Sequence, residues 1–159
     1  MTHQKDSGSP DEFGQRENGE PDVELTVDAE REARNAQHIE AERYERLDVT
    51  LAAITLRMGQ CQEIAKQGRE IFDESWILRN AAHSTLMQIG EATKDLPNAF
   101  RSAMKDVSWR AMIRTRDKTA HQYDQIDWDI VWVTISRDIP QDHERVRKIQ
   151  ADRAPGTQI

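Results

Sequence analysis

Apolar side chains recur at Leu47, Leu51, Ile54, Met58, Cys61 and Ala65, with spacings that alternate four and three. That period keeps all six on one face of an α-helix, so the pattern predicts a long amphipathic helix that stops near Gly68. A second stripe, Leu78, Ala82, Leu86, Ile89 and Thr93, predicts a helix from Asp73 to Lys94. Ala81, Ala82, Gly90 and Ala92 are small enough to let a neighbouring helix come close. Pro97 ends that helix or opens a short one carrying Phe100 and Met104. Ser108 suits the N-cap of a helix through Trp109, Met112 and Ile113 towards His121. Asp127 suits the cap of a last helix, with Trp128, Val131, Trp132, Ile135 and Ile139 inward. Pro140 should interrupt it, leaving the polar run DHERVRKI as a closing turn or short helix.

No run alternates with the period of a strand, and no hairpin pair such as Asn-Gly joins two such runs. The expected fold is therefore all-α, an antiparallel bundle of four to five helices joined by short connections. Upstream, residues 1–22 hold Gly8, Gly14, Gly19, Pro10 and Pro21 with almost nothing apolar to bury. Such a segment cannot offset its ordering entropy, which predicts a disordered acidic tail over residues 1–27. Residues 28–43, rich in Ala, Glu and Arg, read as a polar helical extension starting at Asp28. The bundle is expected over 44–152 and a short tail over 153–159.

Charge sharpens this division. The net charge is −7, yet residues 1–27 hold seven acids against two bases, and the rest of the chain 22 against 20. The body has no global basic field to attract nucleic acid, so an RNA-facing surface must be a local patch. Residues 101–118 offer one, with Arg101, Lys105, Arg110, Arg114, Arg116 and Lys118 against Asp106 and Asp117. No apolar run is long enough to span a membrane, and the N-terminus has no secretory apolar core. A cytoplasmic protein without membrane contact is expected. The single cysteine, Cys61, lies in the core stripe and reads as a buried hydrophobe.

Much common chemistry is missing. The glycines form no phosphate loop, no nucleophile elbow is present, and the five histidines show no metal-ligand spacing. The Asp-His-Glu triplet at 142–144 reads as a solvated helix start, so neither a metal nor a cofactor is expected. What remains is RTRDKTAHQY, residues 114–123. A neutral histidine can take up and return a proton near neutral pH, and an arginine can clamp a phosphate with parallel hydrogen bonds. Those two groups suffice for metal-free RNA cleavage, with His121 as general base and acid and Arg116 as the phosphate clamp. On an ideal helix the two stand about 140° apart, so they meet only if the helix end loosens or two chains contribute. Arg114 and Asp117 share the face of His121 and could support it, Asp117 by orienting the imidazole. The plain alternative is a solvated charged face that happens to hold a histidine.

The stretch from Ser108 to Pro140 resembles the signature of HepT-like proteins, helical ribonuclease toxins of the HEPN superfamily. The matching features are Trp109, the Arg-x4-His-x-Tyr motif at Arg116, His121 and Tyr123, then Asp127, Val131, Trp132 and Pro140. Upstream, the Ile-Gly-Glu-Ala stretch at Ile89 to Ala92 is similar as well. The resemblance implies a homodimer whose shared cleft carries Arg116 and His121 from both chains and cuts RNA without metal. It also implies a toxin–antitoxin pair, in which a minimal nucleotidyltransferase of the MntA type neutralises the toxin by attaching AMP to Tyr123. A bulky anionic adduct there would block the cleft and repel the RNA backbone. One departure is Asp117, where the family often has Asn; its carboxylate opposes an incoming phosphate. The rival reading is a non-enzymatic helical adaptor of a nucleotidyltransferase.

Overall fold

The structure, a computed structural model, describes residues 23–119 and 126–154. The expected tail up to residue 22, the segment 120–125 with His121 and Tyr123, and residues 155–159 lie outside the described residues. Among those described, seven α-helical segments and one π-helical turn account for the regular structure, and no strand occurs. The protein is an all-α bundle. Among the described residues two units are distinguished, divided between Glu40 and Ala41.

Helix α1 runs Val23–Lys66, starting earlier than the cap expected at Asp28. No glycine or proline falls between Asp22 and Gly59 to break it. Side chains from Val27 to Arg46 are all exposed, whereas Leu51, Ile54, Met58 and Cys61 are fully buried. Gly68, at φ +92°, turns the chain after α1, a backbone conformation that side chains resist. The next helix does not start at Asp73. A short α2, Arg69–Glu74, comes first, and Ser75 separates it from α3, Trp76–Asp95. The Ser75 hydroxyl accepts from the Leu78 N–H at 3.2 Å, a cap whose serine the apolar stripe does not reveal. Phe72 of α2 is fully buried against Trp132, with ring centroids 5.1 Å apart.

Helix α4, Asn98–Ala103, follows Pro97, and α5, Trp109–Thr119, follows a tight connection. The last helix departs from expectation at Pro140. Helix α6, Trp128–Val133, passes through a π turn at Thr134–Asp138 into α7, Ile139–Arg153, with helical backbone angles at both joins. The Ile139 N–H donates to the Thr134 carbonyl five residues back, instead of four. Widening the turn there accommodates a residue that has no N–H and a ring crowding the preceding carbonyl, so the proline is absorbed. The DHERVRKI run is therefore continuous helix, and its Val146 is fully buried core.

Pairings fix the helix directions. Thr55 donates to Gln150, Gln62 meets His143, and Arg153 pairs with Asp48, so α7 runs antiparallel to α1. Thr93 touches Met112, while Gly90 lies against Arg116, so α5 runs antiparallel to α3. Between these helices Leu86, Ile89, Trp109, Met112, Val131, Ile135 and Ile139 complete one apolar core. Burial pushes the Cys61 thiol up to about 12, so it is un-ionised and inert at neutral pH.

Candidate functional site

The described part of the motif sits where α3 and α5 come closest. At Gly90 an added Cβ would stand 2.5 Å from the Arg116 Cβ and 2.7 Å from the Met112 carbonyl oxygen. Real side-chain carbons do not approach that closely, so only glycine lets the backbone of α5 settle here. The small residue singled out in the sequence thereby positions the motif arginine.

Arg116 is then fixed by charge. Its Nε lies 2.7 Å from Glu91 Oε2, and one of its terminal nitrogens lies 3.3 Å from Asp117 Oδ1. Asp117 in turn accepts from Lys94 Nζ at 2.6 Å. Glu91, Arg116, Asp117 and Lys94 thus form a chain of alternating charges that bridges α3 and α5. Lys94 first, then Arg116, hold the Asp117 carboxyl below its usual range. The Arg116 side chain is only about one-third exposed, at 32%, and its ion pairs hold its head group towards α3. Sequence reasoning missed Glu91 and Lys94 as partners. Their spacing of three on α3 places both on the side that meets α5, but only tertiary packing says which helix lies opposite.

Arg114 goes elsewhere. Two residues before Arg116, it is turned about 200° away around α5. It lines a groove between α4 and α5, together with Arg101, Lys105 and Arg110. Trp109, which opens the resembling signature, is buried at that junction and donates its indole N–H to the Met104 carbonyl at 2.9 Å. The positions of Arg116, Asp117 and Arg114 are thus defined, and those of His121 and Tyr123 lie outside the described residues.

The Asp-His-Glu triplet is not a solvated helix start. Asp142 is buried and accepts from the Ser108 N–H at 3.2 Å and from Arg145 at 2.9 Å. It therefore clamps α7 to the first turn of α5, while the Ser108 carbonyl accepts from Ala111 and Met112. His143 contacts Gln62 of α1 at 3.1 Å. Among the described residues no three His, Cys, Asp or Glu side chains gather as a metal site. No helix among them is long and apolar enough to cross a membrane.

The chemistry available is that of an anchored cation beside a groove of bases. Comparison with known proteins gives the same direction. Residues 54–149 match the family model described as Ribonuclease HepT-like. A provisionally named RNase of Caldanaerobacter subterraneus subsp. tengcongensis is 36% identical over 80 residues, which is 50% of this chain and 71% of that protein. The probable ribonuclease HepT of Thermococcus cleftensis is 39% identical over 62 residues, 39% of this chain and 56% of that protein. A provisionally named RNase of Methanocaldococcus jannaschii is 35% identical over 74 residues, 46% of this chain and 61% of that protein. No solved structure matches the chain.

Proposed function

The chain belongs to the Ribonuclease HepT-like family, and from that premise we propose that it is a metal-independent endoribonuclease, the toxin of a toxin–antitoxin pair. The observation that carries this reading is the anchored Arg116, seated at Gly90 and oriented by Glu91. A catalytic cation is worth most when its orientation is set before substrate arrives. In the proposed reaction His121 takes the proton of a ribose 2′-hydroxyl, and that oxygen attacks the adjacent phosphorus. Arg116 stabilises the anionic five-coordinate transition state. The bond to the 5′-oxygen breaks, and the imidazolium returns its proton to the leaving oxygen. The products are a 2′,3′-cyclic phosphate and a 5′-hydroxyl, and no water or metal is consumed.

The functional unit in this reading is a homodimer acting in the cytoplasm. Ile71, Trp76, Ile77, Ile130 and Val133 are large exposed apolar side chains on α2, α3 and α6, which supports burial of that side by a partner. Control comes from a nucleotidyltransferase antitoxin. The Tyr123 oxygen attacks the α-phosphorus of ATP, pyrophosphate leaves, and the AMP adduct closes the cleft.

The test is cleavage of a single-stranded RNA by the purified full chain in excess chelator. His121→Ala should lower the rate about 10²- to 10⁴-fold, and Arg116→Ala about 10²- to 10³-fold, with helicity unchanged by circular dichroism. Undiminished cleavage by His121→Ala would remove the assignment of the base. A second reading, the non-enzymatic adaptor, is favoured by the carboxylates of Glu91 and Asp117 that already engage the guanidinium. It expects RNA to stay intact at every protein concentration.

A further inference from the structure

The groove between α4 and α5 has no role in the chemistry above, yet bases line it with no acid among them. It encloses about 780 Å³, and its wall carries Arg101, Lys105, Arg110 and Arg114 with no acidic residue. Among the described residues none of these four meets a carboxylate; Arg101 donates instead to the Asn98 side-chain carbonyl. Arg116, Lys94, Arg69, Arg145 and Arg153, by contrast, all engage carboxylates. In a chain of net charge −7, four bases gathered on one concave surface, with Asp106 the acid next to them in sequence, form a local positive field.

The groove is also prebuilt. Arg110 and Arg114 lie one turn apart on α5, facing Arg101 and Lys105 from α4 and the connection after it. Trp109 ties the two walls through Met104, its ring packs on Phe100 at 6.3 Å, and Asp142 holds the first turn of α5. Of the apolar side chains here, Val107 and Trp109 are 5% and 3% exposed and already spent on the core, which leaves only the methyl group of Ala111 exposed. A protein partner is held by large aromatic or aliphatic anchors in deep pockets, and this surface exposes no large apolar side chain. Spaced cations without apolar anchors fit a polyanionic backbone.

We propose that the α4–α5 groove is a docking track for the phosphate backbone of single-stranded RNA, gripped by Arg101, Lys105, Arg110 and Arg114. This deepens the nuclease reading and rests on it for the identity of the polyanion. One helix then has two working edges: Arg116 faces α3, and the Arg110–Arg114 row holds the strand beyond the cut.

Binding of a fluorescent single-stranded RNA to the full chain, in a His121→Ala background that prevents cleavage, tests it across a salt series. Each phosphate contact contributes about 0.7 to the slope of log affinity against log salt. Arg110→Gln with Arg114→Gln should lower that slope by about 1.4 and weaken binding about tenfold near 0.1 M salt. Arg147→Gln with Lys148→Gln removes the same charge from exposed α7 positions and should leave affinity and slope unchanged. Equal slopes for parent and groove variant, equal weakening in the α7 control, or tighter binding of an acidic peptide than of RNA would each overturn the track. Cleavage by the unmutated chain is scored separately. RNA binding that needs the groove without any cleavage leaves the track standing and removes the nuclease reading. Cleavage and binding that ignore the groove substitutions do the reverse.

Discussion

At Gly90 one missing carbon decides where a functional side chain can stand. Alanine would gain about 1 kcal/mol of helix propensity over glycine. Its Cβ would nonetheless fall 2.7 Å from a backbone carbonyl oxygen of α5, which cannot swing aside as a side chain can. Overpacking of that kind typically costs about 1–3 kcal/mol. Because the clash is with backbone, the upper end of that range applies, and Gly90→Ala is expected to destabilise the chain by up to about 2 kcal/mol in urea denaturation, and to impair RNA cleavage in the fraction that stays folded. An alanine variant as stable as the parent would show that α3 and α5 do not need this approach. The glycine was legible as a close-packing residue. That its neighbour would be Arg116 was not, because spacing within a helix carries no information about the helix opposite.

Between elements, the informative residue is Asp142. In the sequence it belongs to a polar run that looks solvated, and in the fold it is a buried carboxylate joining α7 to the start of α5. The misreading has a physical source. Pro140 was expected to end the helix, and the π turn at Thr134–Asp138 carries the helix past it, turning Asp142 and Val146 inward. Removing the carboxylate takes the acceptor from the Ser108 N–H and leaves the Arg145 guanidinium to water. Asp142→Ala should cost about 1–3 kcal/mol by denaturation, and Asp142→Asn less, because the amide oxygen still accepts from Ser108. Because the same contact sets the first turn of α5, the alanine variant should also weaken RNA binding through the groove. Identical stabilities for the two variants would show that the hydrogen bond to α5 contributes nothing.

Among the described residues, two histidines couple the stability of the fold to pH. Burial holds the imidazole of His83 below 6.5, and burial followed by the nearby Arg147 charge does the same for His143. Between the depressed folded value and 6.5 the unfolded chain binds more protons than the folded one, so stability rises with pH. Stability is full above 6.5 and is lost as pH falls through the folded values. The thermal midpoint should therefore drop on acidification below 6.5, and His143→Gln should flatten the drop. A variant with the same pH profile as the parent would exclude His143 as its source. The Asp117 carboxyl is depressed in its turn by Lys94 and Arg116. Its contribution is full above the ordinary aspartate value and is lost as pH falls from there through the depressed folded value.

The sequence by itself determined the helical class, the three core stripes and the caps at Asp127 and Gly68, because each depends on neighbours within a few residues. It also marked Arg116, His121 and Tyr123 as a motif and the 101–118 region as basic. Only the tertiary structure decided that Arg116 is shared between Glu91 and Asp117, and that Arg114 joins three other bases in a groove instead. Those assignments depend on which helix faces which, a property of packing between residues far apart in the chain that no local period encodes.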